Sequence, residues 1–297
     1  MGEVGSRDQR FATFVEGLAG VAGHADRRLP LERYVKGLLL PGERKSLEPM
    51  ASRLEPARVS AAHQSLHHLV ANAGWDDAAM LAEVRRQVLP MVEQQGPIMA
   101  WVVDDTGMPK CGKHSVGVEH QYCGQLGKQA NCQVAVSLSV SNWQASLPVA
   151  WRLYLPEAWR EDKERRAKVG VPQSIKFQTK PTLALDQIRQ ALAEQIPPGV
   201  VLADAAYGNG LPFRSALTEL GLQYVVGVES HTTVWEPGYV PVLPVPPRKR
   251  GRPIPSQPSA RKLRACCFVN SLSARSAVCH LVAPASTSTR STQRCSP

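Results

Sequence analysis

Residues 99–107 read Met-Ala-Trp-Val-Val-Asp-Asp-Thr-Gly, "MAWVVDDTG". An apolar run with paired valines predicts a buried strand. The run stops on two adjacent carboxylates, Asp104 and Asp105, before the turn-forming Thr-Gly. Carboxylates at the tip of a buried strand have to be neutralised by a metal, by opposite charges or by solvent. The fold and the chemistry both follow from which of these is present.

Upstream, residues 7–95 predict helices only. "RFATFVEGLAGVAG", "LPLERYVKGLLL", "RKSLEPMASRL" and "ARVSAAHQSLHHLVANAG" carry apolar residues at helical spacing. Asp76 and Asp77 then cap "AAMLAEVRRQVLPMVEQQG", which closes at Gly96. Downstream of Pro97 the period changes. "PIMAWVVDD", "NCQVAVSLSVSN" and "SLPVAWRLYLP" predict three strands, the last two as a hairpin. "KPTLALDQIRQALAEQI" predicts an amphipathic helix, "GVVLADAAYG" a fourth buried strand, "LPFRSALTELG" a helix and "QYVVGV" a fifth strand. The order β, β, β, α, β, α, β opens antiparallel and continues in βαβ units, which is a mixed α/β sheet. The expected organisation is therefore a helical domain over 1–96, an α/β core over 97–236, and a tail over 237–297.

The formal net charge is +10. Residues 1–236 hold 25 Lys and Arg and 25 Asp and Glu, whereas residues 237–297 hold 10 basic residues and no acid. The whole excess thus lies in the tail, and the bulk charge is no argument that the body binds nucleic acid. The tail is rich in Pro, Ser and Arg and lacks periodicity, which predicts disorder. Four of the seven cysteines also fall there. This abrupt change of composition predicts a changed reading frame or a truncated gene copy after about residue 250. No run of about 18 apolar residues predicts a membrane span. The first residues do not resemble a secretory signal. Free thiols in a reducing cytoplasm are expected.

Asp204 ends the fourth predicted strand, in "VVLADAAYGNG". In this strand order the first and fourth strands can be neighbours, with their carboxyl ends together. Alternation puts Asp104 and Asp105 on opposite faces, so only one of them can face Asp204. Capping of a following turn is the ordinary role of each aspartate alone. As a pair on adjacent strands, they favour a site for hard divalent cations, Mg²⁺ or Mn²⁺. Two such ions, about 3.5–4 Å apart, can activate water or a 3′-hydroxyl in phosphodiester chemistry.

At "RFATFVEGLAG", "LLLPGERKSLEPMA", "VSAAHQSLHHLVA", "WVVDDTGMPKCGKHSVGV", "QYCGQLGKQANCQVAVSLS", "LPVAWRLYLPEAW" and "VVLADAAYGN" the chain resembles insertion-sequence transposases of the IS701 type, within the DDE superfamily. These stretches cover roughly residues 10–235. The resemblance implies a ribonuclease H-like catalytic core and cut-and-paste transposition. It also implies two Mg²⁺ or Mn²⁺ ions held by two aspartates and a later glutamate. The implied partner is double-stranded DNA at transposon terminal inverted repeats, bound by a homodimer, with the helical domain contributing to DNA binding.

Carried over residue by residue, the resemblance makes Asp105, which precedes Thr, the first catalytic and metal-binding aspartate, and Asp204 the second. Asp104 becomes a supporting neighbour. The third carboxylate is implied in a Tyr-x-x-Arg-x-x-x-Glu helix after the fifth strand, and no such stretch exists here. The last acids are Glu219, Glu229 and Glu236. The resemblance therefore implies impaired catalysis. Ala206 and Cys111 also stand where the family usually has Gly and Lys.

Other signals were weighed against plainer readings. Cys111, His114, His120, Cys123 and Cys132 have the types and short spacings of a zinc site, but an ordinary polar loop between the first two strands is the stronger reading. In that loop Lys128 is a candidate phosphate contact or a solvated lysine. His63 and His67 lie one helical turn apart, and a packed or exposed histidine face is favoured over metal binding. "PPRKRGRP" at 246–253 has the composition of an extended minor-groove hook. Two alternatives to a catalytic transposase stand beside it: a DNA-binding remnant without catalysis, and a haloacid dehalogenase-type phosphatase. The phosphatase motif needs two aspartates separated by one residue, and here they are adjacent.

Overall fold

The computed structural model describes residues 6–229, 232–234, 261–262 and 267–270. The chain forms two compact units, Met1–Pro97 and Ile98–Pro297.

The first unit is helical: α1 (Arg7–Val21), α2 (Arg28–Leu39), α3 (Leu47–Leu54), α4 (Val59–His67) and α5 (Asp77–Gln94). Its starts follow local chemistry. The Ser6 hydroxyl accepts from the Gln9 N–H while the Gln9 side chain accepts from the Ser6 N–H, a reciprocal cap that satisfies two otherwise unpaired donors. Asp76 caps α5 through the N–H groups of Ala78 and Ala79. Leu18, Ala22, Leu31 and Leu69 form one buried cluster, and Met50, Ala51, Ala62 and Leu66 another. Tyr34 packs against both. The one charge buried in this unit among the described residues, Glu83, is gripped by two N–H groups of Arg86 at 2.7 and 2.6 Å.

The second unit is a mixed sheet with helices. It contains β1 (Ala100–Pro109), β2 (Glu119–Cys123), β3 (Lys128–Ser141) and β4 (Ser146–Leu153), then α6 (Ala158–Glu161), α7 (Lys163–Lys168) and α8 (Lys180–Ala193). It continues with β5 (Val200–Ala203), α9 (Ala205–Gly208), α10 (Leu211–Glu219) and β6 (Tyr224–Val228). The short strands β7 (Thr233–Val234), β8 (Arg261–Lys262) and β9 (Cys267–Asn270) follow. The main sheet runs β2-β3-β1-β5-β6-β9, with β4 also on β3, and β7 pairs β8 separately. β1 is antiparallel to β3 and parallel to β5, β5 is parallel to β6, and β9 closes the edge antiparallel to β6. The expected mixed α/β sheet is what forms. Strand β3 is long enough to pair β2 along its first residues and β4 along its last ones.

Two expectations are corrected. The segment between the first two predicted strands is no plain loop. Glu119–Cys123 forms β2, joined to β3 through a turn in which Gly127 takes φ 64°. Its alternation was masked by polar residues on both faces of a short outer strand. "GVVLADAAYG" is not one strand, because β5 stops at Ala203 and Asp204 begins a helical turn. Of residues 237–297, the described ones form the short strands β8 and β9, and β9 pairs with β6 at the edge of the main sheet. The "PPRKRGRP" stretch lies outside the described residues.

Helix α8 is seated by its apolar face, with Leu183, Ala184, Ile188 and Ala191 buried. Gln187 is 1% exposed and donates from Nε2 to the Val136 carbonyl at 3.0 Å, tying α8 to the strand that flanks β1. Two turns earlier on the same helix is Lys180, which reaches the aspartates.

Candidate active site

The aspartates do not end their strand as the sequence suggested. β1 continues to Pro109 because β3 pairs with it all the way. On the other side β5 pairs only as far as Ala203, opposite Val103. Asp104 and Asp105 therefore lie where β1 loses its parallel neighbour, and the notch left by β5 holds the candidate site. Asp204 is the first residue past that last pair.

Each carboxylate has a distinct environment. Asp105 Oδ2 lies 2.5 Å from the Lys180 ammonium, and its Oδ1 accepts from the Tyr207 hydroxyl at 3.2 Å. The Lys180–Asp105 pair is mostly enclosed, with side chains 28% and 19% exposed. Lys180 also stands 5.6 Å from the centre of the Tyr154 ring. Asp104 is exposed and accepts from the Asp105 N–H at 2.7 Å. Asp204 caps α9 by accepting from the Ala206 N–H at 2.9 Å.

The three charges act on one another. Partial withdrawal from water raises the Asp204 carboxyl above the usual carboxylate range. The Ala206 N–H opposes this, and the negative charges of Asp105 and Asp104 raise it further. Tyr207 is fully buried against Phe213, and its phenol is pushed far up, first by burial and then by Asp105, with Asp204 and Asp104 adding to it. It stays protonated and serves as a hydrogen-bond donor.

Two glycines let Asp204 and Tyr207 reach this position. A Cβ on Gly208 would stand 1.9 Å from the Gly227 carbonyl oxygen, and one on Gly227 would stand 2.8 Å from the Ala205 nitrogen. α9 thus rests directly on the β6 backbone, an approach open only to residues without a side chain.

The predicted site residues separate as follows. Asp104, Asp105 and Asp204 come into mutual electrostatic range. Lys128 begins β3 and is exposed, eight residues from Val136, the partner of Asp105, which is roughly 26 Å along an extended strand. Cys123 and Cys132 are buried in an apolar cluster with Val134, whereas Cys111 is exposed. His63 and His67 only stack, with ring centres 6.2 Å apart. Among the described residues, no group of three His, Cys, Asp or Glu side chains is placed to hold a metal ion. Glu229 follows β6 in a coil and Glu219 ends α10. Glu236 lies outside the described residues.

Sequence reasoning missed Lys180 and Tyr207. Lys180 precedes Pro181 at the start of a predicted helix, a placement that reads as helix initiation. Tyr207 stands three residues after Asp204 in an apolar run, and only the helical turn there reveals that it points back at β1.

A family model described as "DDE superfamily endonuclease" matches residues 14–289. The chain belongs to the DDE superfamily endonucleases. Members of this superfamily typically use divalent metal ions, and the phosphatase reading falls with the assignment. The match runs past residue 250, into the stretch whose composition predicts a change of frame. A probable transposase for insertion sequence element IS701 from Microchaete diplosiphon is 32% identical over 182 residues, covering 61% of this chain. Those residues are 43% of the relative, so the chain spans less than half of its length. In this DDE endonuclease no described helix is long and apolar enough to cross a membrane.

The donor set suits the ions the superfamily uses. Asp105 and Asp204 offer hard oxygen ligands, and the charges of Asp105 and Asp104 add to the burial that raises the Asp204 carboxyl. Mg²⁺ is commonly held by one or two carboxylates, with water and substrate phosphates completing its shell.

Proposed function

We propose that this chain is a DDE-type transposase-like protein with a ribonuclease H-like core, acting on double-stranded DNA at transposon ends. The observation that carries the reading is the pairing of β1 with β5, which leaves Asp105 and Asp204 at one notch, where partial burial first and the charges of Asp105 and Asp104 second raise the Asp204 carboxyl. In it Asp105 and Asp204 hold Mg²⁺ or Mn²⁺, and Asp104 adds negative potential. Bound there, a divalent ion supplies Lewis-acid activation of water or a 3′-hydroxyl and neutralises charge on the scissile phosphate.

The chain's own residues prepare the site. Tyr207, held protonated, donates to Asp105 Oδ1 and turns Oδ2 toward the notch. Lys180 neutralises Asp105; were a divalent ion held by Asp105 and Asp204, the Lys180 ammonium would be available to a phosphate oxygen. Gly208 and Gly227 keep Asp204 at a fixed height above β6. The helical unit adds DNA contacts, and a homodimer on DNA is the working assembly.

Residues 237–297 contain no Asp or Glu to serve as a third carboxylate, so in this reading residues 1–297 by themselves cleave poorly. The same observation favours a second reading, a remnant that binds DNA without cutting it. Manganese binding followed by electron paramagnetic resonance, beside nicking of a supercoiled plasmid, separates these. Bound Mn²⁺ that is lost in Asp105→Asn and Asp204→Asn supports the metal site, and unaltered binding in both variants overturns it. Weak nicking that vanishes in the same variants indicates an impaired enzyme. DNA binding without such nicking indicates the remnant.

A further inference from the structure

Between β4 and α8 the chain leaves the sheet for residues 154–179 and forms a half-open cavity of about 960 Å³. Arg160, Lys163, Arg166 and Lys176 line it together with Phe177 and the exposed Ile175, and among the described residues no Asp or Glu lines it. We propose that this cavity binds the phosphodiester backbone of the DNA strand that enters the Asp105–Asp204 notch. The proposal rests on the reading of the chain as a DNA-processing protein and adds to it a subsite.

The cations face the cavity because the helix is pinned on its other side. Trp159 is fully buried and donates from Nε1 to the Val118 carbonyl at 3.0 Å. Arg165 lies 3.9 Å over the Trp159 ring and bonds Glu119 and the carbonyls of Lys113 and Val118. With Arg165 turned inward, Lys163 and Arg166 fall at helical spacing on the face of α7 that lines the cavity. Arg166 spans the mouth by donating to the carbonyls of Pro172 and Ile175. Among the described residues, only Arg160 of these four cations has a carboxylate partner, Glu161 at 3.1 Å, in an exposed pair. Lys163 and Lys176 are exposed and make no hydrogen bond or ion pair with the described residues.

Size and place identify the ligand class. The volume is at the upper end of the roughly 300–1,000 Å³ typical of ligand pockets, more than a free phosphate needs. Cations beside apolar side chains suit a chain of phosphates carrying flat bases. Phe177 is three residues from Lys180, so their Cα atoms lie no more than about 11 Å apart. In this proposal a strand with one phosphate at the notch runs on past these cations.

The test is fluorescence anisotropy of a labelled duplex of arbitrary sequence with the full chain, in chelator, between about 50 and 200 mM salt. The variant Arg160→Gln/Lys163→Gln/Lys176→Gln is expected to bind at least about tenfold more weakly. The slope of log affinity against log salt should fall by about 2–3 for three lost phosphate contacts. Lys163→Arg/Lys176→Arg should keep both affinity and slope. Ultraviolet cross-linking of a bromodeoxyuridine duplex to the unaltered chain should label residues 160–177, which keeps the test valid if the triple variant folds poorly. Unchanged affinity and slope, or labelling only elsewhere, overturns this subsite and leaves the family reading intact. A native chain that does not bind duplex at all overturns the DNA reading and the subsite with it.

Discussion

Lys180 Nζ lies 2.5 Å from Asp105 Oδ2, so the carboxylate expected to meet a metal is met by an ammonium. The lysine comes from the first turn of α8 and the aspartate from the middle of β1. Their contact depends on α8 being fastened to β3 by Gln187. The same charge that a divalent ion would neutralise is thus neutralised within the chain.

Lys180→Met should destabilise the metal-free protein, because a mostly enclosed Asp105 is left facing Asp104 and Asp204. The expected loss is about 1–2 kcal/mol, reduced from the cost of a fully buried pair by the solvent that still reaches it. Thermal denaturation in chelator should show a melting temperature lower by about 3–6 °C. Saturating Mn²⁺ should recover most of this, giving the variant a larger metal-induced rise than the parent. An equal or smaller rise contradicts the exchange of one cation for the other.

Asp204 makes stability depend on pH. Its carboxyl is raised by partial burial and by the charges of Asp105 and Asp104. An acid with a folded pKa above its unfolded one binds its proton more tightly when folded. Its contribution is present below the unfolded pKa and is lost as pH rises through the folded one. Without metal, melting temperature should therefore decline as pH rises from about 4 toward neutrality. Asp204→Asn, which keeps the helix cap, should flatten this decline. Melting curves across that range check it.

Gly208→Ala should be disproportionately destabilising for a single methyl. The new carbon would meet the Gly227 carbonyl oxygen at 1.9 Å, and that atom belongs to the backbone of β6, which is paired on both sides. A loss of about 2–4 kcal/mol is expected, or about 5–10 °C in melting temperature. Because α9 would lift from β6, Mn²⁺ affinity should fall in the same variant.

Trp159→Phe should cost about 1–2 kcal/mol by removing the bond to the Val118 carbonyl from a fully buried position. Urea denaturation measures it. Since Arg165 loses part of its ring platform, the variant should also bind duplex DNA more weakly, although Trp159 does not line the cavity.

Much of the site was legible in the residues. The valine-rich runs before Asp104–Asp105 and before Asp204 identified two buried strands, and the order of elements made them neighbours. The extent of those strands was less legible. Pairing with β3 carries β1 past its aspartates to Pro109, whereas β5 stops before its own, and nothing local distinguishes the two runs. β2 was missed because five residues with mixed polarity carry almost no period.

Composition and periodicity by themselves determined that a helical segment precedes a mixed α/β sheet and that carboxylates occur at two of its strands, because burial imposes a period on a chain wherever it folds. Only the tertiary structure decided that Lys180 and Tyr207 take the two oxygens of Asp105 and that the cations of residues 160–176 line one cavity. Those contacts join residues 16 to 102 positions apart, and their geometry is set by the packing of α8, α9 and α7, which no local pattern records.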